Sequence, residues 1–221
     1  MAGKHRLVIV GAGGHGSEVQ SYVRDLIAHQ WDGELLGFLD DHAPRGHYRN
    51  VDVIGTLEDF REAPPAFFEN LFYLTAFGSN PLRRTVVGRL EAAYGTRMQP
   101  WTLRHPSAYT GEDVEIGAGT LLAPEVVITS RVKIGRHCIL NVKASVSHDS
   151  VVGDYANLNP GATVCGNCRI GEDVYLGAGA TVIDRVSIGS GTIVGAGATV
   201  IHDLEPNVTA VGVPARVIKR N

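Results

Sequence analysis

Residues 116–146 read IGAGTLLAPEVVITSRVKIGRHCILNVKASV. Stepping by six from Ile116 gives Leu122, Ile128, Ile134, Leu140 and Val146, and the series runs on without a miss to Val200. All fifteen of these positions are Ile, Leu or Val. Four residues further along each step, from Thr120 to Ala198, every side chain is small or β-branched; only the last, Leu204, is not. So strict a period of six spells a β-helix of hexapeptides. Each hexad gives one short strand and a corner. The aliphatic residue points into a narrow prism and the small one packs beside it. Three hexads make a triangular coil, so the run predicts five coils, about 24 Å long at ~4.8 Å per stacked strand. Glycines such as Gly117, Gly135, Gly153 and Gly171 follow the aliphatic residue, where a corner favours residues free of Cβ clashes. A sandwich of short strands does not fit, because its turns would vary in length. The period does not fix the handedness.

Upstream the period changes. Arg6–Val10 (RLVIV) reads as a buried strand that ends at glycines. In Ser17–His29, Val19, Tyr22, Val23, Leu26 and Ile27 form one face of a helix. Leu35–Leu39 and Leu71–Phe77 read as further strands, and Val51–Ile54 as a short edge strand. Ser79 caps a second helix with Pro81 in its first turn, burying Leu82, Val86, Val87 and Leu90. Alternation of this kind predicts a small parallel sheet covered by helices. The fold class is therefore α/β followed by β. The organisation expected is a Rossmann-like domain over 1–104, a hexapeptide β-helix over 105–205 and a tail over 206–221.

Bulk properties narrow the function classes. With 20 basic against 23 acidic residues in 221, the chain lacks the basic excess of a nucleic-acid binder. No apolar run approaches the ~18–20 residues of a membrane span, and the opening MAGKHRLVIVGAGG runs straight into a motif rather than reading as a signal peptide. Three cysteines point to a reducing, cytoplasmic setting. Cys165 and Cys168 form a CxxC, but Cys168 falls on an inward position and no second pair offers a zinc site, so no metal is expected.

VGAGGHGSEV at 10–19 carries the Gly11-x-Gly13-x-x-Gly16 spacing of a dinucleotide turn. That turn, together with FLDD at 38–41, AFGSNPLRR at 76–84, HPSA at 105–108, ILNVKASVSHD at 139–149 and VGVPAR at 211–216, resembles the bacterial N-acyltransferases of nucleotide-linked amino sugars, as in bacillosamine and perosamine synthesis. A sialic-acid O-acetyltransferase branch shares the layout. The resemblance covers essentially the whole chain. It implies a left-handed β-helix, acetyl-CoA as co-substrate, and a homotrimer with active sites between subunits.

Ser147-His148-Asp149 leads into a corner and should project outward. Acyl transfer to an amine needs a base for the amine's proton. Histidine is the side chain poised near neutral pH, and a neighbouring carboxylate raises its basicity and fixes its orientation. The resemblance implies this pair, with His148 as general base, Asp149 tuning it, and Asn141 as an active-site asparagine. It also implies a CoA groove lined by Asn157, Gly166, Ala178 and Ala196, although relatives carry histidine where Asn157 stands. The last two are eighteen residues apart, one coil, so they should stack. The acceptor side takes Gly11, Gly13, Gly14, His15, Asp40 and Asp41. The glycines fit a nucleotide diphosphate at a helix N-terminus. His15 has two readings, a contact to sugar or phosphate and a plain loop histidine. Arg216, Lys219 and Arg220 fit either CoA phosphates or an ordinary basic tail. His137 reads as a surface residue, and His105, His42 and His47 as structural or solvated.

The function expected is N-acetylation of a nucleotide-linked amino sugar, a 4-amino-4,6-dideoxy sugar by the resemblance. The alternatives are O-acetylation of a sugar or sialic acid, an NAD-dependent oxidoreductase resting on the glycines, and a non-catalytic sugar-binding scaffold. About 100 residues before the repeats supply only one mononucleotide half, which leaves a nicotinamide without a home.

Overall fold

The computed structural model describes residues 4–48 and 51–221. The chain divides into two units, Met1–Trp101 and Thr102–Asn221. No helix among the described residues is long and apolar enough to cross a membrane.

In the first unit, β1 (His5–Val10), α1 (Gly14–Ala28), β2 (Gly33–Leu39), β3 (Gly46–Tyr48), β4 (Val51–Gly55), β5 (Leu71–Thr75), α2 (Asn80–Tyr94) and β6 (Gln99–Pro100) follow in order. The sheet runs β3-β4-β2-β1-β5-β6, parallel except for the β3–β4 pair. β4 is therefore not the edge; β3 lies outside it. Leu7, Val8, Ile9 and Val10 are all buried, as a strand covered on both faces requires. One face carries a core of Val8, Val10, Leu39, Tyr73, Val86 and Leu90. The chain leaves β1 toward β2 on one side and reaches β5 on the other, so the strand order reverses between β1 and β5. A crevice forms at the carboxyl ends of these two strands, where both helices begin.

Two residues of the expected helix faces lie outside the core. Ile27 is 41% exposed in the last turn of α1, and Leu82 is 47% exposed in the first turn of α2. Periodicity gives the face of a helix but not how far the sheet beneath it extends. Ser79 does cap α2, its Oγ accepting from the Leu82 N–H at 3.5 Å.

The second unit is a prism of three parallel walls. The first contains the strands that begin at Leu103, Leu121, Ile139, Asn157, Tyr175 and Ile193; the second begins at Tyr109 and the third at Glu115, each also stepping by eighteen. Up to Val200 every wall pairs residue n with n + 18 (Leu122 with Leu140, Val146 with Val164, Ile134 with Val152). Of the aliphatic positions, those from Leu122 to Val200 are buried; Ile116 is half-buried at the lower end. Residues 206–221, read from sequence only as a tail, form the strands Val208–Val211 and Arg216–Arg220, which extend the first wall.

The corners obey a second rule. Every sixth residue from Asp113 to Gly197 has φ between 52° and 76°. Non-glycine residues there carry a cost of order 1 kcal/mol or more. From Arg131 onward these residues donate their N–H to a carbonyl of the coil below, as His137 does to Ala118 and Tyr155 to Arg136, each at 2.9 Å. The glycines after the aliphatic positions have a different cause. A Cβ on Gly117 or Gly177 would lie 2.5 Å from backbone of the next coil, so close stacking rather than φ excludes a side chain.

His137 departs from its expected surface position. It is 2% exposed and stacks on Tyr155, one coil above, with centroids 5.3 Å apart. His105 is also buried, its Nδ1 2.7 Å from Ser107 Oγ.

Leu158→Ala should cost about 2–5 kcal/mol, because the prism cannot collapse onto the space left. Lys133→Ala, on an outward position of the third wall, should stay within about 0.5 kcal/mol. Thermal and denaturant unfolding measure both.

Candidate active site

His148 and Asp149 sit on the edge between the second wall (Ser145–Val146) and the third (Val151–Val152). The corner is pinned on three sides. Asp149, with φ 61°, donates its N–H to Ser130 O at 3.2 Å in the coil below. The His148 carbonyl accepts from Asn167 N–H at 2.9 Å in the coil above. Inside, Ser150 Oγ donates to Cys165 O and accepts from Cys168 N–H, both at 3.0 Å. Cys168 points inward, fully buried.

The His148 Nδ1 lies 2.7 Å from Asp149 Oδ2. An ionised carboxylate can only accept, so Nδ1 carries the hydrogen and Nε2 presents the lone pair. The ring is about half exposed. It lies against Gly166, where a Cβ would come within 2.7 Å of the His148 Cε1. Glycine there leaves the room the imidazole occupies.

A third residue joins the pair. Arg131, eighteen positions before Asp149, donates Nε–H to Oδ1 at 2.7 Å and Nη2–H to Oδ2 at 3.1 Å. The guanidinium first, and the imidazole second, hold the Asp149 carboxyl at about 2 against its ordinary 3.8. The sequence reading missed Arg131. The signal was present, because one coil is eighteen residues and the same corner position recurs at that interval.

Other expected residues lie elsewhere. Asn141, Ala178 and Ala196 follow first-wall strands and line the edge between the first and second walls. The Asn141 Oδ1 accepts from Val142 N–H at 2.7 Å. Beside Ala178 and Ala196 stand Gly179 and Gly197, and Gly161 lies one coil lower; nothing lies within 4 Å of a Cβ built on any of the three. The same backbone conformation carries Tyr155, Asp173 and Arg185 on the other edges, so the fold does not require glycine here. The result is an upper stretch of this edge, from Gly161 to Gly197, with glycine at every corner, above Glu125 and Lys143. Asn157 is buried in the first wall and does not line that edge.

In the first unit, Gly11 (φ 107°) turns the chain against the Phe77 ring, and a Cβ on Gly16 would collide with the Gly11 carbonyl. Gly13 is the N-cap of α1 and offers no side-chain cap, and the space around Gly13 and Gly14 is open. The His15 Nδ1 meets Glu18 Oε2 at 3.0 Å, while its Nε2 is shut off from solvent with no hydrogen-bond partner among the described residues. Asp40 and Asp41 are occupied structurally. Asp40 accepts from the N–H groups of Ala12 and His42 at 2.8 Å and of Ala43 at 2.9 Å. Asp41 accepts from Leu57 N–H and from Arg89. Burial alone would raise both carboxyls, but these donors outweigh it and lower them. The two aspartates shape a cleft with Val10, Leu39, Phe77 and Arg89 at the β1/β5 crevice.

An outward His–Asp pair on a β-helix of hexapeptides, joined to a dinucleotide-type turn, defines a hexapeptide acyltransferase. Residues 6–90 match the PglD N-terminal domain family, and residues 167–202 match the bacterial transferase hexapeptide family (six repeats). Among curated proteins no sequence matches. Among solved structures, the acetyltransferase domain of PglB from Neisseria gonorrhoeae FA1090 is 31% identical, covering 97% of this chain and 100% of that one, with a TM-score of 0.85. PerB from Caulobacter crescentus, in complex with CoA and GDP-perosamine, is 31% identical over 96% of this chain and 97% of that one, with a TM-score of 0.84. WeeI from Acinetobacter baumannii AYE is 31% identical over 97% and 100%, with a TM-score of 0.85. The chain belongs to the bacterial nucleotide-amino-sugar N-acyltransferase family, and its β-helix is the left-handed one of hexapeptide acyltransferases.

Asp149 should titrate near pH 2. Its folded value lies below the ordinary one, so its pairing contributes in full above about pH 4 and is lost as the pH falls through 2. A side-chain 13C titration follows it, and a midpoint near 3.8 would contradict the clamp.

Proposed function

We propose that the protein transfers an acetyl group from acetyl-CoA to the amino group of a nucleotide-linked sugar, with His148 as general base. The observation that carries this reading is the His148–Asp149 hydrogen bond at 2.7 Å on an exposed corner, with Nε2 left to accept a proton. The amine nitrogen attacks the thioester carbonyl as its proton passes to Nε2. The C–S bond then breaks, and the leaving sulfur takes that proton back from Nε2, departing as the free thiol and restoring the neutral imidazole. Asp149 holds the ring in the Nδ1–H form throughout and stabilises the imidazolium. Asn141, with its Oδ1 held by its own loop, offers amide N–H groups to a substrate oxygen.

The first unit takes the nucleotide. The uncapped N-terminus of α1, open at Gly13 and Gly14, suits a diphosphate, and the cleft beside Asp40 and Asp41 suits the nucleoside. His15 stands in this glycine turn, between Gly14 and Gly16. The stretch of edge along Gly161, Ala178–Gly179 and Ala196–Gly197 suits the slender pantetheine arm of CoA. PerB, whose structure holds CoA and GDP-perosamine, supports both halves of this reading.

The working form is a homotrimer. In one chain, His148 and Gly166 lie on one border of the second wall, and Asn141, Ala178 and Ala196 on the other. A rotational repeat that packs second walls together brings the two borders of neighbouring chains into one site. The outward residues of that wall suit burial, being Tyr109, Val127, Ser145, Thr163, Thr181 and Thr199, while the third wall presents Glu115, Lys133 and Arg169.

Incubation with acetyl-CoA and nucleotide-linked 4-amino sugars should release free thiol, and His148→Ala should lower kcat by about 10²–10⁴. Thiol release unchanged in that variant would remove the base from the mechanism. A hydroxyl analogue preferred over the amine would replace this reading with sugar O-acetylation. Gly166→Ala should cut kcat while leaving the melting temperature near that of the parent, because the added carbon displaces the imidazole. Sedimentation velocity should give three chains per particle.

A further inference from the structure

We propose that Arg131 is a positioning residue for this reaction: it clamps the Asp149 carboxylate from the coil below, so that the carboxylate holds the His148 ring in its Nδ1–H form. The proposal rests on the acyl-transfer reading only for its kinetic consequences.

The geometry carries it. Arg131 approaches as a planar fork, Nε to Oδ1 at 2.7 Å and Nη2 to Oδ2 at 3.1 Å, and occupies both carboxylate oxygens. The imidazole Nδ1–H meets Oδ2, an oxygen that Arg131 also holds. A carboxylate bonded to the ring alone could still rotate about its own side-chain bonds; one gripped at both oxygens cannot. The backbone fixes the fork's base as well. Arg131 has φ 54° and donates its N–H to Glu112 O at 2.9 Å, the same corner construction as Asp149 one coil higher. Asp113, a further coil down, adds its attraction to the guanidinium. Asp113, Arg131 and Asp149 thus form a column of alternating charge that ends at the base.

A stability role does not account for this arrangement. Arg131 is 58% exposed and Asp149 35%, and ion pairs so open to water add little to folding stability. The value of the clamp lies in direction. Lysine would keep the charge but lose the fork.

The test uses the full chain labelled with 15N-histidine, at about pH 8.5, two units above the ordinary histidine value of about 6.5. Long-range 1H–15N spectra distinguish the two ring tautomers, and His148→Ala assigns the signal. The parent should show the Nδ1–H form at His148. Arg131→Met and Arg131→Lys should both show a mixture with the Nε2–H form, at unchanged melting temperature. In acyl transfer, Arg131→Met should lower kcat about tenfold with both KM values within twofold. In an Asp149→Asn background it should have no further effect. A pure Nδ1–H form in Arg131→Met, or losses that multiply with Asp149→Asn, overturns the proposal. If the parent transfers no acyl group to any amino sugar, the proposed function falls while the spectra still decide the role of Arg131.

Discussion

The N–H of the corner residue, donated from Arg131 onward to a carbonyl of the coil below, is the interaction on which the second unit rests. It holds non-glycine residues such as Asp149 and Arg131 in a left-handed backbone conformation, and it fixes residue n above residue n − 18. Once that register is set, each edge of the prism becomes a column in which side chains from distant stretches of sequence stand one above another. The core does not distinguish the edges, since every hexad fills it with one aliphatic and one small side chain. The difference between a charged column, a stacked aromatic one and one topped by glycines therefore lies wholly in the corner residues.

The candidate chemistry follows from those columns. On the second–third edge, Arg131, Asp149 and His148, with Gly166 above, form a directed chain from guanidinium to imidazole. On the first–second edge, glycines at 161, 179 and 197 leave open space. The first unit achieves order differently. Asp40 spends its carboxylate on three backbone N–H groups at the end of β2, a rigid frame for the glycine turn and not a free ligand.

Much of this could be read from the chain alone, and the exceptions have physical causes. The step of six announced the prism, because a wall of a narrow prism tolerates only aliphatic and small residues. His148 and Asp149 stood out because polar neighbours in that frame must face outward. His137 did not follow the same logic: its ring lies flat against Tyr155, a contact visible only when the eighteen-residue stacking is applied to corners as well as to strands. Arg131 escaped for the same reason. Asp40 and Asp41 were legible as residues at a strand end, but sequence cannot tell a carboxylate turned to a ligand from one turned to its own backbone. Ile27 and Leu82 fit a helical face yet lie in terminal turns, where a repeating pattern carries no information about what lies beneath.

The eighteen-residue register also governs how such a chain can vary. Losing a single residue between Arg131 and Asp149 would slip every later coil by one step. Aliphatic side chains would swing outward, corner residues would enter strands, and guanidinium and carboxylate would no longer face each other. Substitution at a corner changes one rung of one column; a change of length rewrites all columns above it. Inheritance of this fold should therefore be conservative in spacing and liberal in corner identity. New specificities would arise by exchanging side chains on an edge, while insertions would be confined to loops that leave and rejoin the prism in phase.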